Sequence, residues 1–328
     1  MNIARIVMRF VVAAIVVPIG AAIAPAAAWP DKPVKIVVPF AAGGTTDVIA
    51  RIVGERLGAR LKATVLIENL PGAGGNSGAA AVAKATGDAH VLLMSTPGPA
   101  VMNQFMYARM PYDTASAFTP VAFVASIPSV LIVNASADYK TVAELVAKAK
   151  AQPQQFNYGS AGNGSTGHLG GALLNTVAGT DARHVPYRGS APMLQDLLSG
   201  NIQFTIDSLP GVVSFIEAGT VRALAVTGGR RAAQLPNVPT SLETGFGDVR
   251  ISTWVCLLGP AGLAKETAVQ INNEVNAILA ETDVRQKLSN LGADVDPEIR
   301  TPDDLARFLA SETPNWKRMV EAAGVKIE

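Results

Sequence analysis

The sequence predicts an α/β protein of two lobes, each a mostly parallel sheet flanked by helices. Three observations predict it. Short β-branched runs alternate with helical patterns through most of the chain, the rhythm of parallel strands covered on both faces. That rhythm occurs as two series, each beginning with a strand that feeds a glycine-rich turn: PFAAGGTTDVIAR at Pro39 to Arg51 and YGSAGNGSTGHL at Tyr158 to Leu169. Two apolar extended segments, Val121 to Ser136 and Ile251 to Leu263, follow the series and read as crossings between lobes.

Residues 1–28 stand apart. Arg5 and Arg9 precede an apolar stretch from Phe10 to Ile23 that ends in Ala26-Ala27-Ala28. This is the pattern of a cleaved secretory signal. Its length would also suit a membrane anchor, but Pro18, Gly20 and Pro25 and the small-residue end favour cleavage, so the exported chain is expected to begin near Trp29. The one cysteine, Cys256, is far from the signal; it excludes a lipid anchor, an internal disulfide and a cysteine-rich metal site.

In the first series, strands are expected at Val34–Val38, Thr64–Ile67 and Val91–Ser95, with helices from Asp47 and through Gly78–Ala85. The second carries strands at Phe156–Tyr158, Arg183–Pro186, Ile202–Ile206 and Arg222–Val226, with helices through Leu169–Val177 and near Pro192–Leu198. The rest is helical in pattern: Lys265–Ala280, Asp283–Leu291 and Thr301–Ala323. Thr301-Pro302-Asp303-Asp304 supplies a cap, a first-turn proline and first-turn acids. These helices most simply pack back on the first lobe. Residues 29–130 and 253–328 then form a discontinuous lobe 1, residues 131–252 form lobe 2, and the two crossings form a hinge.

Without Arg5 and Arg9 the chain has 25 basic against 26 acidic residues and no basic run, which argues against nucleic acid as a partner. With 49% hydrophobic residues, about 300 mature residues can stabilise themselves by apolar burial.

Each glycine turn leaves backbone N–H groups unpaired at the positive end of a helix dipole, a ready site for a carboxylate or phosphate. Two such turns suggest a cleft. Catalytic groups are scarce, since histidine occurs only at His90, His168 and His184. His168 could serve Ser160 or Ser165 as a base in a secreted hydrolase, but the G-x-S-x-G elbow is unmet, because Tyr158 and Asn163 stand where its first glycine would be. His168 reads better as a cap or packing residue.

GNGSTG at Gly162 to Gly167 matches the dinucleotide pattern G-x-G-x-x-G, yet Asp181 precedes the strand whose end should carry the ribose-binding acid. No Walker lysine follows either turn. No cofactor and no metal are therefore expected. What remains is binding without catalysis: turn amides and the hydroxyls of Thr45, Thr46, Ser95, Thr96, Ser160, Ser165 and Thr166 around a small acid, or the same hydroxyls as plain helix caps. Asp47 reads as a cap, since its charge would repel an acid. Tyr187 or Arg188, after the strand Arg183–Pro186, could reach the cleft, and Asp207 lies where open α/β sheets bind ligands. Asn69 to Gly78 (NLPGAGGNSG) reads as a tight turn.

Several long, ordered segments resemble one family through essentially the whole mature chain. They are WPDKPVKIVVPFAAGGTTDVIAR, ENLPGAGGNSGAAAVAKA, MPYDTASAFTPVAFVAS, NYGSAGNGSTGHL, HVPYRGSAPMLQDLLSGNIQF, LAVTGGRRAAQLPNVPTSLETG and the C-terminal AAGVKIE. The family is that of the tripartite tricarboxylate transporter substrate-binding proteins, the Bug or TctC-type receptors of Gram-negative bacteria. The resemblance implies a periplasmic, monomeric, two-lobed binding protein of Venus-flytrap form. Such a protein closes around a small carboxylate by loop amides, hydroxyls and waters, and serves inner-membrane permease subunits or a sensor protein. It implies first-lobe contacts at Phe40, Gly43, Thr45, Thr46, Ser95 and Thr96, and second-lobe contacts at Ser160, Ala161, Gly162, Thr166, Tyr187 and Asp207. Where the family commonly has D-G-Y, this chain reads Asp88-Ala89-His90, which concerns a turn more than the cleft.

Overall fold

The computed structural model describes residues 29–153, 155–295 and 298–328, so the expected signal at 1–28 lies outside the described residues. Among these, the first series forms β1 (Val34–Val38), α1 (Thr45–Leu61), β2 (Val65–Asn69), α2 (Asn76–Ala83) and β3 (Val91–Ser95). A wide turn at Gly98–Met102 and a single helical turn α3 (Asn103–Met106) lead to the long strand β4 (Phe118–Asn134). The second series is α4 (Val142–Ala151), β5 (Asn157–Ser160), α5 (Thr166–Ala178), β6 (Arg183–Pro186), α6 (Ser190–Leu198), β7 (Phe204–Ser208), α7 (Leu209–Glu217) and β8 (Val221–Val226). The strand β9 (Ser252–Pro260) precedes α8 (Lys265–Ala280), α9 (Thr282–Asn290) and α10 (Pro302–Ala323).

All strands join one sheet in the order β2-β1-β3-β9-β4-β7-β5-β6, with β8 also on β4. β1 pairs β2 and β3 in parallel, and β5 pairs β6 and β7 in parallel, as right-handed β-α-β crossovers require. The two crossings pair antiparallel to one another. β4 binds β9 from Phe118 to Pro128, then changes partners and binds β7 and β8 from Ser129 to Asn134.

Period-2 alternation sends Val34, Ile36 and Val38 to one face and Val37 to the other; Leu92 and Met94 oppose Leu93, and Val255 and Leu257 oppose Trp254, Cys256 and Leu258. One face of this half is covered by α1, α8 and α9 through residues such as Ile49, Val53, Ile271 and Val284. Trp316 and Val320 of α10 cover the other. In the second half, Leu131 and Val133 pack under α4 and α5, and Val130 and Ile132 under α6 and α7.

The C-terminal helices return to the first half, with one addition: α10 also packs on α5 of the second series, so Leu169 and Leu173 share a core with Trp316. α10 begins with the expected capping box, Thr301 with Asp304. α4 and α7 are helices beyond those expected, and α2 starts two residues earlier than its pattern suggested.

Candidate functional site

One cavity of about 650 Å³ opens at the C-terminal ends of the parallel strands of both halves, where an open α/β sheet leaves room between its loops. Four helix starts border it: Gly44, Thr45 and Thr46 of α1, Ser165 and Thr166 of α5, Gly189, Ser190 and Ala191 of α6, and Ser208 and Gly211 of α7. The first-turn N–H groups of Thr45 and Thr46, and of Thr166 and Gly167, have no protein partner among the described residues. Four positive helix ends thus face one space. Phe40, Ile127, Leu194, Leu198 and Phe215 give the cavity an apolar wall.

Among the described residues, only two charged side chains line it, Arg188 and Asp207. Arg188 is exposed. Asp207 ends β7; its Oδ1 accepts from the Ser208 N–H at 2.8 Å, whereas Oδ2 is shut off from solvent and has no hydrogen-bond partner. Burial pushes this carboxyl above the usual carboxylate range, against the opposing pull of Ser190 and Ser208. Across the cavity, Thr45 Oγ1 and Ser208 Oγ share a hydrogen bond of 2.9 Å between the two halves.

Asp47 does not face a ligand. Its Oδ2 accepts from the Gly43 N–H at 2.9 Å, while Arg51 contacts both oxygens at 2.9 and 3.0 Å and Asn69 adds a bond of 2.9 Å. Burial alone would raise this carboxyl; the Arg51, Gly43 and Asn69 donors outweigh it and hold the pKa low. Asp47 therefore secures the first glycine turn and keeps its own charge neutralised.

The second turn is held by imidazoles. Ser165 caps α5 by accepting from the His168 N–H at 3.2 Å, and the Gly164 N–H donates to His168 Nδ1 at 3.3 Å. His168 stacks on His184 with centroids 3.8 Å apart. Ser160 is fully buried and bonds His184 Nε2 at 2.7 Å, not His168. Burial lowers the His168 pKa to about 4; burial and then the neighbouring His168 lower that of His184 to about 3. Neither arrangement is the Ser–His168 pair that a hydrolase would use.

Of the twelve residues singled out from the sequence, Phe40, Gly43, Thr45, Thr46, Thr96, Ala161, Thr166 and Asp207 line the cavity. Ser95, Ser160, Gly162 and Tyr187 do not. Ser95 is buried and its hydroxyl bonds the Thr96 carbonyl, Ser160 anchors the second turn, and Tyr187 donates to Asp196 at 2.6 Å. Sequence reasoning missed the α6 and α7 starts. Gly189-Ser190 after a strand was an available signal, but Ser208-Leu209-Pro210-Gly211 reads equally well as a turn.

The fold and the site together define a two-lobed periplasmic-type binding protein, with a cavity between the lobes suited to a small solute. Comparison with known proteins gives the particular family. The model of the tripartite tricarboxylate transporter family receptor, TctC, matches residues 49–325, and the chain belongs to that family, one of periplasmic solute-binding receptors and not of enzymes. The chain is 37% identical over 294 residues to the UPF0065 protein in the tcbD-tcbE intergenic region of Pseudomonas sp. strain P51, covering 89% of this chain and 87% of that one. It is 32% identical over 301 residues to Protein BugT of Bordetella pertussis, 92% of each chain. Among solved structures, R. palustris Rpa4515 with adipate superposes with a TM-score of 0.86 at 37% identity, covering 91% of this chain and 99% of that one. MatC from Rhodopseudomonas palustris with bound malate gives 0.85 at 31% identity, with coverage of 89% and 100%.

Proposed function

We propose that this chain captures a small organic carboxylate between its lobes and delivers it to the membrane subunits of a tripartite tricarboxylate permease. The observation that carries this reading is the convergence of four helix starts on one cavity, with unpartnered N–H groups from α1 and α5. Such donors hold an acid without a salt bridge. The carboxylate binds the amides of Thr45, Thr46 and Thr166, bordered by Phe40, Gly43, Thr96, Ala161 and Asp207. Ser95, Ser160, Gly162 and Tyr187 support the loops behind these contacts. Lobe 1 comprises 29–130 and 253–328 and lobe 2 comprises 131–252, divisions supported by the change of β4 partners at Ser129 and the start of β9 at Ser252.

The related structures with adipate and malate support the ligand class. A ligand that binds only the folded protein raises its melting temperature. A thermal-shift screen of mono- and dicarboxylates, keto acids, aromatic acids and acidic amino acids is expected to yield at least one stabiliser that native mass spectrometry shows as a one-to-one complex. A screen without any stabiliser would sink the proposal. The permease is tested separately, by co-purification of the liganded receptor with the membrane subunits encoded beside it.

A further inference from the structure

Resting on the receptor reading above, the shape of the cavity narrows its ligand further. Ala191, Leu194, Gln195 and Leu198 of α6 all line the cavity, and steps of three, four and seven residues put them on one helix face. At about 1.5 Å per residue, that face runs for about 10 Å away from the helix start. On α7, Gly211 and Phe215 line the cavity with the same one-turn spacing. Leu198 and Phe215 are only half-buried, so each keeps surface that a ligand can touch. Met193, Leu197 and Val212 hold the same two helices to the core instead.

The polar end of the cavity serves one carboxylate. Asp207 already sits at the starts of α6 and α7, where it takes the Ser208 N–H at 2.8 Å and interacts with the Ser190 and Ser208 hydroxyls. Pro192 and Pro210, in the first turns of these helices, have no N–H to offer. The positive ends of α6 and α7 thus hold a resident acid, and the open amides are those of α1 and α5. Arg188 directly precedes α6 and belongs to this same end; among the described residues, no charged side chain lines the cavity along the second turns of α6 and α7. A carboxylate against Leu198 and Phe215 would be desolvated without a partner, whereas hydrocarbon there is stabilised by burial.

We propose that the ligand is a monocarboxylate with an extended hydrocarbon body, its carboxylate on the α1 and α5 amides and its body along Leu198 and Phe215. These two side chains determine specificity. Adipate and malate, the ligands of the related structures, carry a carboxylate at each end; this chain differs by taking acids that carry one.

Acids of equal carbon number that end in a methyl or a second carboxyl test this directly: hexanoate with adipate, octanoate with suberate, and 4-methylbenzoate with terephthalate. Calorimetry on the full mature chain should show at least one pair in which the monoacid binds about tenfold or more tightly, since its partner must desolvate an unpaired charge. In Leu198→Ala the favoured monoacid should lose affinity several-fold, about the effect of uncovering two or so methylenes. Leu198→Lys places an ammonium at the C-terminal end of α6, where the helix dipole favours a cation, and should reverse the preference by raising the diacid and lowering the monoacid. If no pair favours the monoacid tenfold in the wild-type chain, the proposal falls and the receptor reading stands. Binding by none of the six acids overturns the proposal as well, and the wider screen then decides the receptor reading. A wild-type preference that both Leu198 variants leave unchanged overturns the assignment of specificity to this face of α6.

Discussion

His168 and His184 lie face to face beneath the second glycine turn, neutral because burial keeps protons off both, with the neighbouring His168 adding to the effect on His184. An unfolded histidine titrates near 6.5, whereas these titrate near 4 and 3 in the folded chain. Between those limits the unfolded state binds more protons than the folded one, so stability rises with pH in that window. It is fully present above about 6.5 and declines as pH falls. The melting temperature is accordingly expected to drop between pH 7.5 and 5, and His184→Gln should remove part of that slope; an unchanged slope would show that the pair does not titrate as described. Carboxylates held low by donors, such as Asp47, lose their contribution only at more acid pH. The sequence marked His168 as a cap or packing residue, because the nucleophile elbow that would make it a base is unmet. Its partner was not legible, since nothing in a separation of sixteen residues announces that two rings will stack.

Helix α5 shows the same limit for elements. Its boundaries follow from Ser165 and Gly179, but its path depends on a small-residue face that periodicity alone does not reveal. A Cβ on Gly171 would stand 2.2 Å from the Tyr158 ring, so the helix lies closer to β5 than any side chain would permit. Gly171→Ala is expected to lower stability by about 1–3 kcal/mol, the usual cost of overpacking, measured by urea unfolding. A neutral or stabilising result would mean that Tyr158 can move aside. The strands were the most legible elements, since β-branched runs between glycines and polar turns leave little ambiguity. α4 was overlooked although Thr141 and Glu144 carry a capping signature: the Thr141 hydroxyl accepts from the Glu144 N–H, and the Glu144 carboxylate reaches back to the Lys140 N–H. α7 was overlooked for a different reason, because a short helix opening with Leu-Pro-Gly has the composition of a turn.

At the scale of the molecule, the two halves meet at the cleft through backbone as well as side chains. The Tyr107 hydroxyl donates to the Asn163 carbonyl at 2.8 Å, and a Cβ on Gly74 would sit 2.4 Å from that same oxygen. The glycine-rich connection Asn69 to Gly78, read from the sequence as a tight turn, is thus also the surface that receives the tip of the second glycine turn. Tyr107→Phe should weaken ligand binding several-fold, as expected for loss of one hydrogen bond made only when the halves meet. Scattering of the unliganded variant should show a larger radius of gyration than wild type; identical affinity and size would remove this contact from the closing energetics. The two-lobed fold was visible from the repeated strand-and-turn series, but the continuity of the sheet through β4 was not, because antiparallel pairing of two distant apolar segments leaves no local mark.

That continuity has a mechanical side. β4 runs unbroken from one half into the other, held by β9 in the first and by β7 and β8 in the second, and its register shifts between Pro120 and Ala122, between Phe123 and Ala125, and at Leu131–Ile132. A bulge bends a strand and loosens its ladder locally, so these are the places where β4 yields most readily. Any parting of the two halves must therefore bend this continuous strand as well as move the loops around the cavity.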